Sequence, residues 1–291
     1  MGNNINTLKT LIVVILYNKD IADSATIKSL NDLGICNSSI HIINNGPKAI
    51  ELNDSICDEF STKNNNISFF EYLDNKPLSY IYNKSLSYDY DRFILFDDDS
   101  VLDKDFFIKI NEGYFEGIDL QLPRIMDKKT GNLAYPKVRG ETTSVLGISV
   151  FNIPNEKYFY SIGSGLIIYK NLLNKFSERG LDLFDERFAL YGVDTSFFRR
   201  IDYIKKSGGN VQCQIISRIN HSLSSTSEKM TEWRYKERLY DLTLSIKFYS
   251  KSRVRLIVNL IRALVREAVK LNLKNCILIM KTFLVGKHPR C

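Results

Sequence analysis

Cysteine is sparse and unpatterned. Cys36, Cys57, Cys213, Cys276 and Cys291 are odd in number, widely spaced and form no CxxC pair. That excludes a disulfide framework and a cysteine-built zinc site, and points to a reducing compartment. Spanning segments are missing too. The early apolar run, residues 11–16, is too short to cross a bilayer or act as an export core. The start, Met1 to Asn6, has neither a basic n-region nor a small-residue cleavage site. A cytoplasmic chain is the expectation. Internal repeats and long low-complexity tracts are absent as well, and Asn64-Asn65-Asn66 reads as a loop tip.

Positive charge is in excess, at a net +7. Its location decides what it means. Residues 251–291 hold ten basic residues and a single acid, Glu267, while the remaining residues hold 30 basic and 32 acidic. The basicity belongs to a tail, so the body is no phosphate-backbone binder and no nucleic acid partner is expected. The length of 291 residues suits one large α/β domain, or one domain with a helical appendage.

Short apolar runs alternate with helical patterns through the first half. Strands are predicted over 11–16, 40–43, 67–72 and 92–96, with helices over 22–33, 49–60 and 77–88 between them. This alternation predicts a doubly wound, mostly parallel sheet, whose ligands bind outside the carboxyl ends of the strands. The loops to read are therefore 17–20, 44–47, 74–76 and 97–100. Residues 123–154 mix Gly, Pro, Thr and cations and suggest long loops around short strands. Order returns with a strand at 161–169, helices at 170–179 and 194–207, and a strand at 211–219.

The most informative segment is Phe93-Ile94-Leu95-Phe96-Asp97-Asp98-Asp99-Ser100, a wholly apolar strand running into three carboxylates. Side chains alternate along an extended chain, which puts Asp97 and Asp99 on one side and Asp98 on the other. Two hard oxygen ligands at a sheet edge suit Mn²⁺ or Mg²⁺, with substrate phosphates completing the shell. A solvated acidic turn is the plainer reading. A rival chemistry uses the same letters: apolar strand–Asp-x-Asp opens haloacid-dehalogenase-type phosphatases, in which the first Asp, here Asp97, accepts the phosphoryl group. That motif normally ends the first strand, whereas here it ends the fourth.

Taken in order, the motifs resemble the inverting family 2 glycosyltransferases of the GT-A fold, in particular the bacterial rhamnosyl- and galactofuranosyltransferase-like branch that builds surface polysaccharides. The segment 11–19 (LIVVILYNK) is similar to the family's first strand and nucleotide-contacting turn, and 40–47 (IHIINNGP) to its second turn. The stretch 75–83 (NKPLSYIYN) resembles Asn-x-Gly-x₅-Asn with Pro77 in place of the glycine. Residues 97–99 match the DxD motif, and Ser164 to Leu166 with 184–200 (FDERFALYGVDTSFFRR) the acceptor side. The resemblance covers about residues 11–240. It implies a nucleotide diphosphate sugar donor contacted by Tyr17, Asn18, Asn44, Asn75, Asn83, Asp97 and Asp98. It also implies a metal held by Asp97, Asp99 and His221, and Asp194 as general base. Where the family often carries an acid, this chain has Asn44, whose amide oxygen still accepts a hydrogen bond from a pyrimidine N3–H.

Each of these positions has a plainer reading. Asp194 also fits the N-cap of the helix that starts there, and Asp185 and Glu186 are neighbouring acids able to replace it as base. His221 fits an ordinary hydrogen-bonding histidine, Asn44-Asn45-Gly46 a plain turn, and Gly163-Ser164-Gly165 a bulge. His41 and His288 receive no role.

In the tail, Arg255, Asn259, Arg262, Arg266, Lys270 and Lys274 recur every three or four residues as one polar stripe, with aliphatic residues filling the rest. An amphipathic, cationic helix suits the anionic inner face of a cell membrane, where a lipid-linked saccharide acceptor would be presented. Packing on the catalytic domain or on a second copy in a homodimer is the alternative. The expected organisation is thus a GT-A catalytic domain, 1–225, and a helical, basic, membrane-associating segment, 226–291. A membrane-surface scaffold without catalysis is the non-enzyme reading.

Overall fold

The computed structural model describes residues 8–51, 60, 65–138, 140–142, 150–223 and 230–291. Its centre is a ten-stranded sheet that orders its main strands β10-β13-β6-β12-β4-β1-β2-β3. Strands β1 (Thr10–Leu16), β2 (Ser39–Asn44), β3 (Asn66–Glu71) and β4 (Arg92–Asp97) run parallel, as do β6 (Leu120–Asp127) and β13 (Cys213–His221). Strand β12 (Leu166–Tyr169) joins the halves by pairing antiparallel to β4 and β6. Two-residue β5 (Val101–Leu102), β7 (Leu133–Tyr135) and edge strand β10 (Val150–Ile153) complete it. A small second sheet holds β8 (Lys137–Val138), β9 (Glu141–Thr142) and β11 (Phe159–Tyr160).

The strands read as near-continuous apolar runs because both faces are covered. Along β1, Leu11, Val13 and Ile15 face one cluster, beneath α2 (Leu78–Leu86), α4 (Lys170–Ser177) and α5 (Val193–Lys206). Ile12, Val14 and Leu16 face the other, beneath α1 (Ala25–Asp32) and α3 (Phe106–Glu112). The early strands and helices thus stand within a few residues of their predicted places. The helix expected over 49–60 lies almost wholly outside the described residues.

Three differences have physical causes. Residues 123–154 suggest long loops around short strands, and β7 to β10 are short, but β6 is an eight-residue strand that crosses the middle of the sheet with Pro123 inside it. Pro123 donates nothing to a ladder, and none is asked of it there. Strand β12 pairs only at Leu120 and Gln121, β7 begins at Ile125, and β13 bulges between Ile215 and Arg218. The strand expected over 161–169 starts only at Leu166, because Gly165 takes a φ of +86° and turns the chain into the sheet. The C-terminal segment forms three helices: α6 (Glu232–Tyr249), α7 (Arg253–Val269) and α8 (Leu273–Val285). Their starts are capped by Thr231, Ser252 and Asn272, each side chain accepting a backbone N–H three residues on. Helix α6 belongs partly to the main domain, since Leu244 is buried in its larger core cluster and Phe248 and Tyr249 pack against it.

Candidate active site

In the order β3-β2-β1-β4 the chain leaves β1 to one side for β2 and to the other for β4, which opens a crevice between the ends of β1 and β4. The acidic turn lies there. Asp97 is still in register with Ile15. The start of α1 fixes the backbone beyond it: Thr26 Oγ1 donates to the Asp97 carbonyl and accepts the Ser100 N–H, and Ser24 Oγ donates to the Asp98 carbonyl at 3.0 Å. The three carboxylates part as strand geometry dictates. Asp98 accepts the Tyr17 N–H at 3.2 Å and pairs with the Lys19 ammonium at 2.5 Å. Asp97 and Asp99 both reach towards His221, at the far end of β13.

His221 Nδ1 lies 3.0 Å from both Ser100 Oγ and Asp99 Oδ1, and its Nε2 lies 3.8 Å from Asp97 Oδ2. Ser100 Oγ is 2.7 Å from Ser164 Oγ, which accepts the Asp97 N–H. A proton on Nδ1 serves Ser100 Oγ and leaves the Nε2 lone pair facing Asp97. Burial works against charging His221, yet the close contact with Asp99 and the charge of Asp97 outweigh it and raise its pKa. Burial lifts Asp99 too, but His221 more than offsets this, so its carboxyl sits below the usual range. Asp97 is pushed up to about 6, chiefly by desolvation, although one side of its carboxyl stays open to solvent.

These residues fit a divalent cation by their chemistry. Asp99 Oδ1 is buried without a hydrogen-bond partner, because His221 approaches it off hydrogen-bonding geometry, and two hard oxygens with one imidazole nitrogen are a set that Mn²⁺ accepts. Among the described residues no group of three or more His, Cys, Asp or Glu side chains is placed to hold a metal ion. The set suits an ion that takes the rest of its shell from a bound phosphate. Two ammonium groups stand at the same edge: Lys19 on Asp98, and Lys128, whose Nζ donates to the Asp99 carbonyl and whose pKa burial lowers.

Asp194 lies across from this cluster. It is the second residue of α5, and the cap position belongs to Gly192, so the N-cap reading of Asp194 does not hold. Its carboxylate accepts the Gly163 N–H. A Cβ at Gly163 would stand 2.7 Å from Asp194 Oδ1 and 3.2 Å from the Tyr82 hydroxyl, so only glycine lets the three converge. Desolvation first, then the charge of Asp97, pushes Asp194 up to about 7. Tyr82, fully buried on α2, has its pKa raised by burial and by the charges of Asp97 and Asp194, and stays neutral.

The amides predicted to meet the donor are placed differently. Asn44 is buried and spends its side chain on the Gly46 N–H, the Lys48 carbonyl and Glu71. Asn18 adopts a φ of +51° against Gly46, where any Cβ would fall 2.7 Å from the Asn18 nitrogen. Asn75, also at positive φ, meets Asn45, whose buried Oδ1 has no partner. Asn83 is committed on both sides of its amide to Phe184 and Glu186, and so holds the acceptor-side segment instead of opening towards the acidic turn. Asp185 is gripped by Arg187, Arg200 and Tyr249, which hold its carboxyl below the usual range against burial, and Glu186 accepts from Asn83. Sequence reasoning missed Tyr82 and Lys128, and named Gly163 only as a place of close backbone approach. Tyr82 reads as core, and Lys128 sits in the stretch of long loops and short strands.

No family model and no curated protein matches the chain. Solved structures do. S. aureus TarS is 14% identical over 89% of this chain, with a TM-score of 0.53, and the chain spans 43% of that structure. TarS 1–349 in complex with UDP is 12% identical over 97% of this chain and 93% of its own length, with a TM-score of 0.50. GalNAc-T7 with UDP, GalNAc and Mn²⁺ is 11% identical over 84% of this chain and 49% of its own, with a TM-score of 0.53. The fold is GT-A. Two strands separate β4 from β13 in this GT-A sheet, yet Asp97 and His221 meet. Strand β12 enters only at Leu166, and Gly163, Ser164 and Gly165 are small enough to leave its end of the sheet open.

Proposed function

We propose that the chain is a metal-dependent, inverting glycosyltransferase that moves a sugar from a nucleotide diphosphate donor to a saccharide acceptor. The observation that carries this reading is the pairing of Asp194, a carboxylate lifted to about 7, with the Asp97–Asp99–His221 cluster across one crevice. The acceptor hydroxyl oxygen attacks the anomeric carbon and its proton passes to Asp194. The bond from that carbon to the diphosphate breaks, and the nucleoside diphosphate leaves with the electron pair. Asp97, Asp99 and His221 would hold Mn²⁺ or Mg²⁺, which when bound neutralises charge on the diphosphate. Lys19 and Lys128 add positive charge at the same edge, and Tyr82 and Gly163 hold Asp194 in place.

Neighbours of the same fold carrying UDP, and in one case Mn²⁺, support a nucleotide-sugar donor. The motif resemblance supports the finer assignment: family 2, a rhamnosyl- or galactofuranosyltransferase-like activity, and a lipid-linked acceptor in O-antigen or capsule assembly at the inner membrane face.

The test is a thermal-shift screen of nucleoside diphosphates and their sugars with and without Mn²⁺. One nucleotide class should stabilise the protein only when metal is present, by about 2.7 kcal/mol at a hundredfold excess over Kd. No shift with any nucleotide would remove the proposal. A covalent aspartyl phosphate on Asp97 would favour the phosphatase reading instead.

A further inference from the structure

The C-terminal hairpin turns the wrong residues outward for a protein surrounded by water. Helix α7 packs on α6 and α8 through Leu256, Leu260, Ala263 and Leu264. Its opposite side, directed into solvent, is aliphatic: Val254, Ile257, Val258, Ile261 and Val265 are all exposed. Arg255, Arg262 and Arg266 form one border of that stripe. The polar stripe read from the sequence is thus an edge, and the outermost face is apolar. Helix α8 repeats the arrangement. Ile279 points inward while Leu273, Ile277, Met280 and Leu284 point out beside Lys274 and Lys281. An open apolar groove of ≈ 450 Å³ runs along this side of α8.

The turn between the helices is the most exposed part. Val269, Leu271 and Leu273 are 78%, 89% and 71% accessible, alternating with Lys270, Asn272 and Lys274. Leu271 adopts a φ of +54°, a conformation unfavourable for a leucine, and in doing so holds its side chain in the open. The sole acid of 251–291, Glu267, is fully buried under Tyr235 and Asn275, so this segment exposes cations and no acid; Arg290 pairs with Glu237 of α6, and the exposed Glu232 of α6 lies near Lys274. No helix among the described residues is long and apolar enough to cross a membrane.

We propose that α7 and α8 dock on an anionic lipid bilayer, with the 269–273 turn entering the headgroup region and the cations meeting lipid phosphates. Charge chooses this occupant over a second copy of the chain. A face on which α7 and α8 themselves expose cations and no acid repels its own image but complements acidic headgroups. The inference is independent of the glycosyltransferase reading, since docking is measured with neither donor nor acceptor.

The test is co-sedimentation of the full chain with vesicles of phosphatidylcholine, alone or with about one third phosphatidylglycerol. Binding should be about tenfold or more stronger to the anionic vesicles and fall as salt rises. Leu271→Glu with Leu273→Glu should lose most of it at an unchanged melting temperature, because neither side chain supports the fold. Lys274→Glu with Lys281→Glu, a second exposed pair, should weaken binding to anionic vesicles alone. Absence of pelleting, or full binding by both double variants, would overturn the proposal. So would a stable lipid-free dimer in sedimentation velocity that Ile257→Glu with Ile261→Glu dissolves.

Discussion

At Asp194 stability and chemistry pull in opposite directions. A carboxyl raised to about 7 binds its proton more tightly in the folded chain than in the unfolded one. Its contribution to stability is therefore full at low pH and is lost as pH climbs from about 4 to about 7. Asp194→Asn should raise stability at pH 8 by on the order of 1–2 kcal/mol, once solvent screening at a partly accessible site is allowed for. The same change should cut turnover about 10²- to 10⁴-fold while leaving nucleotide binding intact. Denaturant melts and single-turnover kinetics on one preparation read both, and a variant that is less stable yet fully active would remove Asp194 from its role. In the parent, kcat/KM should rise through pH 7 as the base loses its proton. Gly163→Ala should act through the same carboxylate, driving a methyl to within 2.7 Å of Asp194 Oδ1 and lowering kcat more than donor affinity. Lys128→Ala belongs to the other half of the crevice and should weaken nucleoside diphosphate binding several-fold at constant kcat.

Among the elements, the knot around Glu267 decides whether the hairpin keeps its shape. Its buried carboxylate accepts from Tyr235 on α6 and from Asn275 on α8 at 2.7 Å, with Lys270 at 3.5 Å. Glu267→Ala strands these donors and should cost about 2–4 kcal/mol, seen as early loss of helical signal in a urea titration. A single transition at the parent midpoint would show that the three helices do not depend on it. The helices also mark where sequence reading succeeds. β1, β2, β4 and helices α1 and α2 were legible because a buried parallel strand and an amphipathic helix have different periods. β6 was not, since the bulge in β13 that excuses Pro123 lies some ninety residues away. The acidic turn was legible as a local string of like residues. The fates of Asn44 and Asn83 were not, because the carbonyls that saturate them belong to distant turns. The tail showed its charge in sequence, but which aliphatic side faces water depends on where α6 lies.

For the whole molecule, the GT-A body and the helical tail share one interior. Leu244 is buried in the main core, Tyr249 OH donates to Asp185 at 2.6 Å, and Arg199 on α5 donates to Ser245 at 2.9 Å. The chain end returns as well. His288 N–H donates to the Arg187 carbonyl, and Arg290 bridges Glu237 on α6 and the Asn75 carbonyl. A boundary at residue 225 therefore separates motifs but not folding units. A fragment ending at 225 lacks Leu244 from the main core and leaves Asp185 without Tyr249, and it should lack a cooperative transition. One ending at 250 retains α6 and should fold, losing about 2–4 kcal/mol as Leu239 and Ile246 meet water. Its vesicle binding should vanish with α7 and α8, while nucleotide binding survives. Comparison of the two truncations by denaturant unfolding tests this directly. If the shorter fragment unfolds cooperatively at the midpoint of the full chain, α6 is an appendage and the shared interior is wrong.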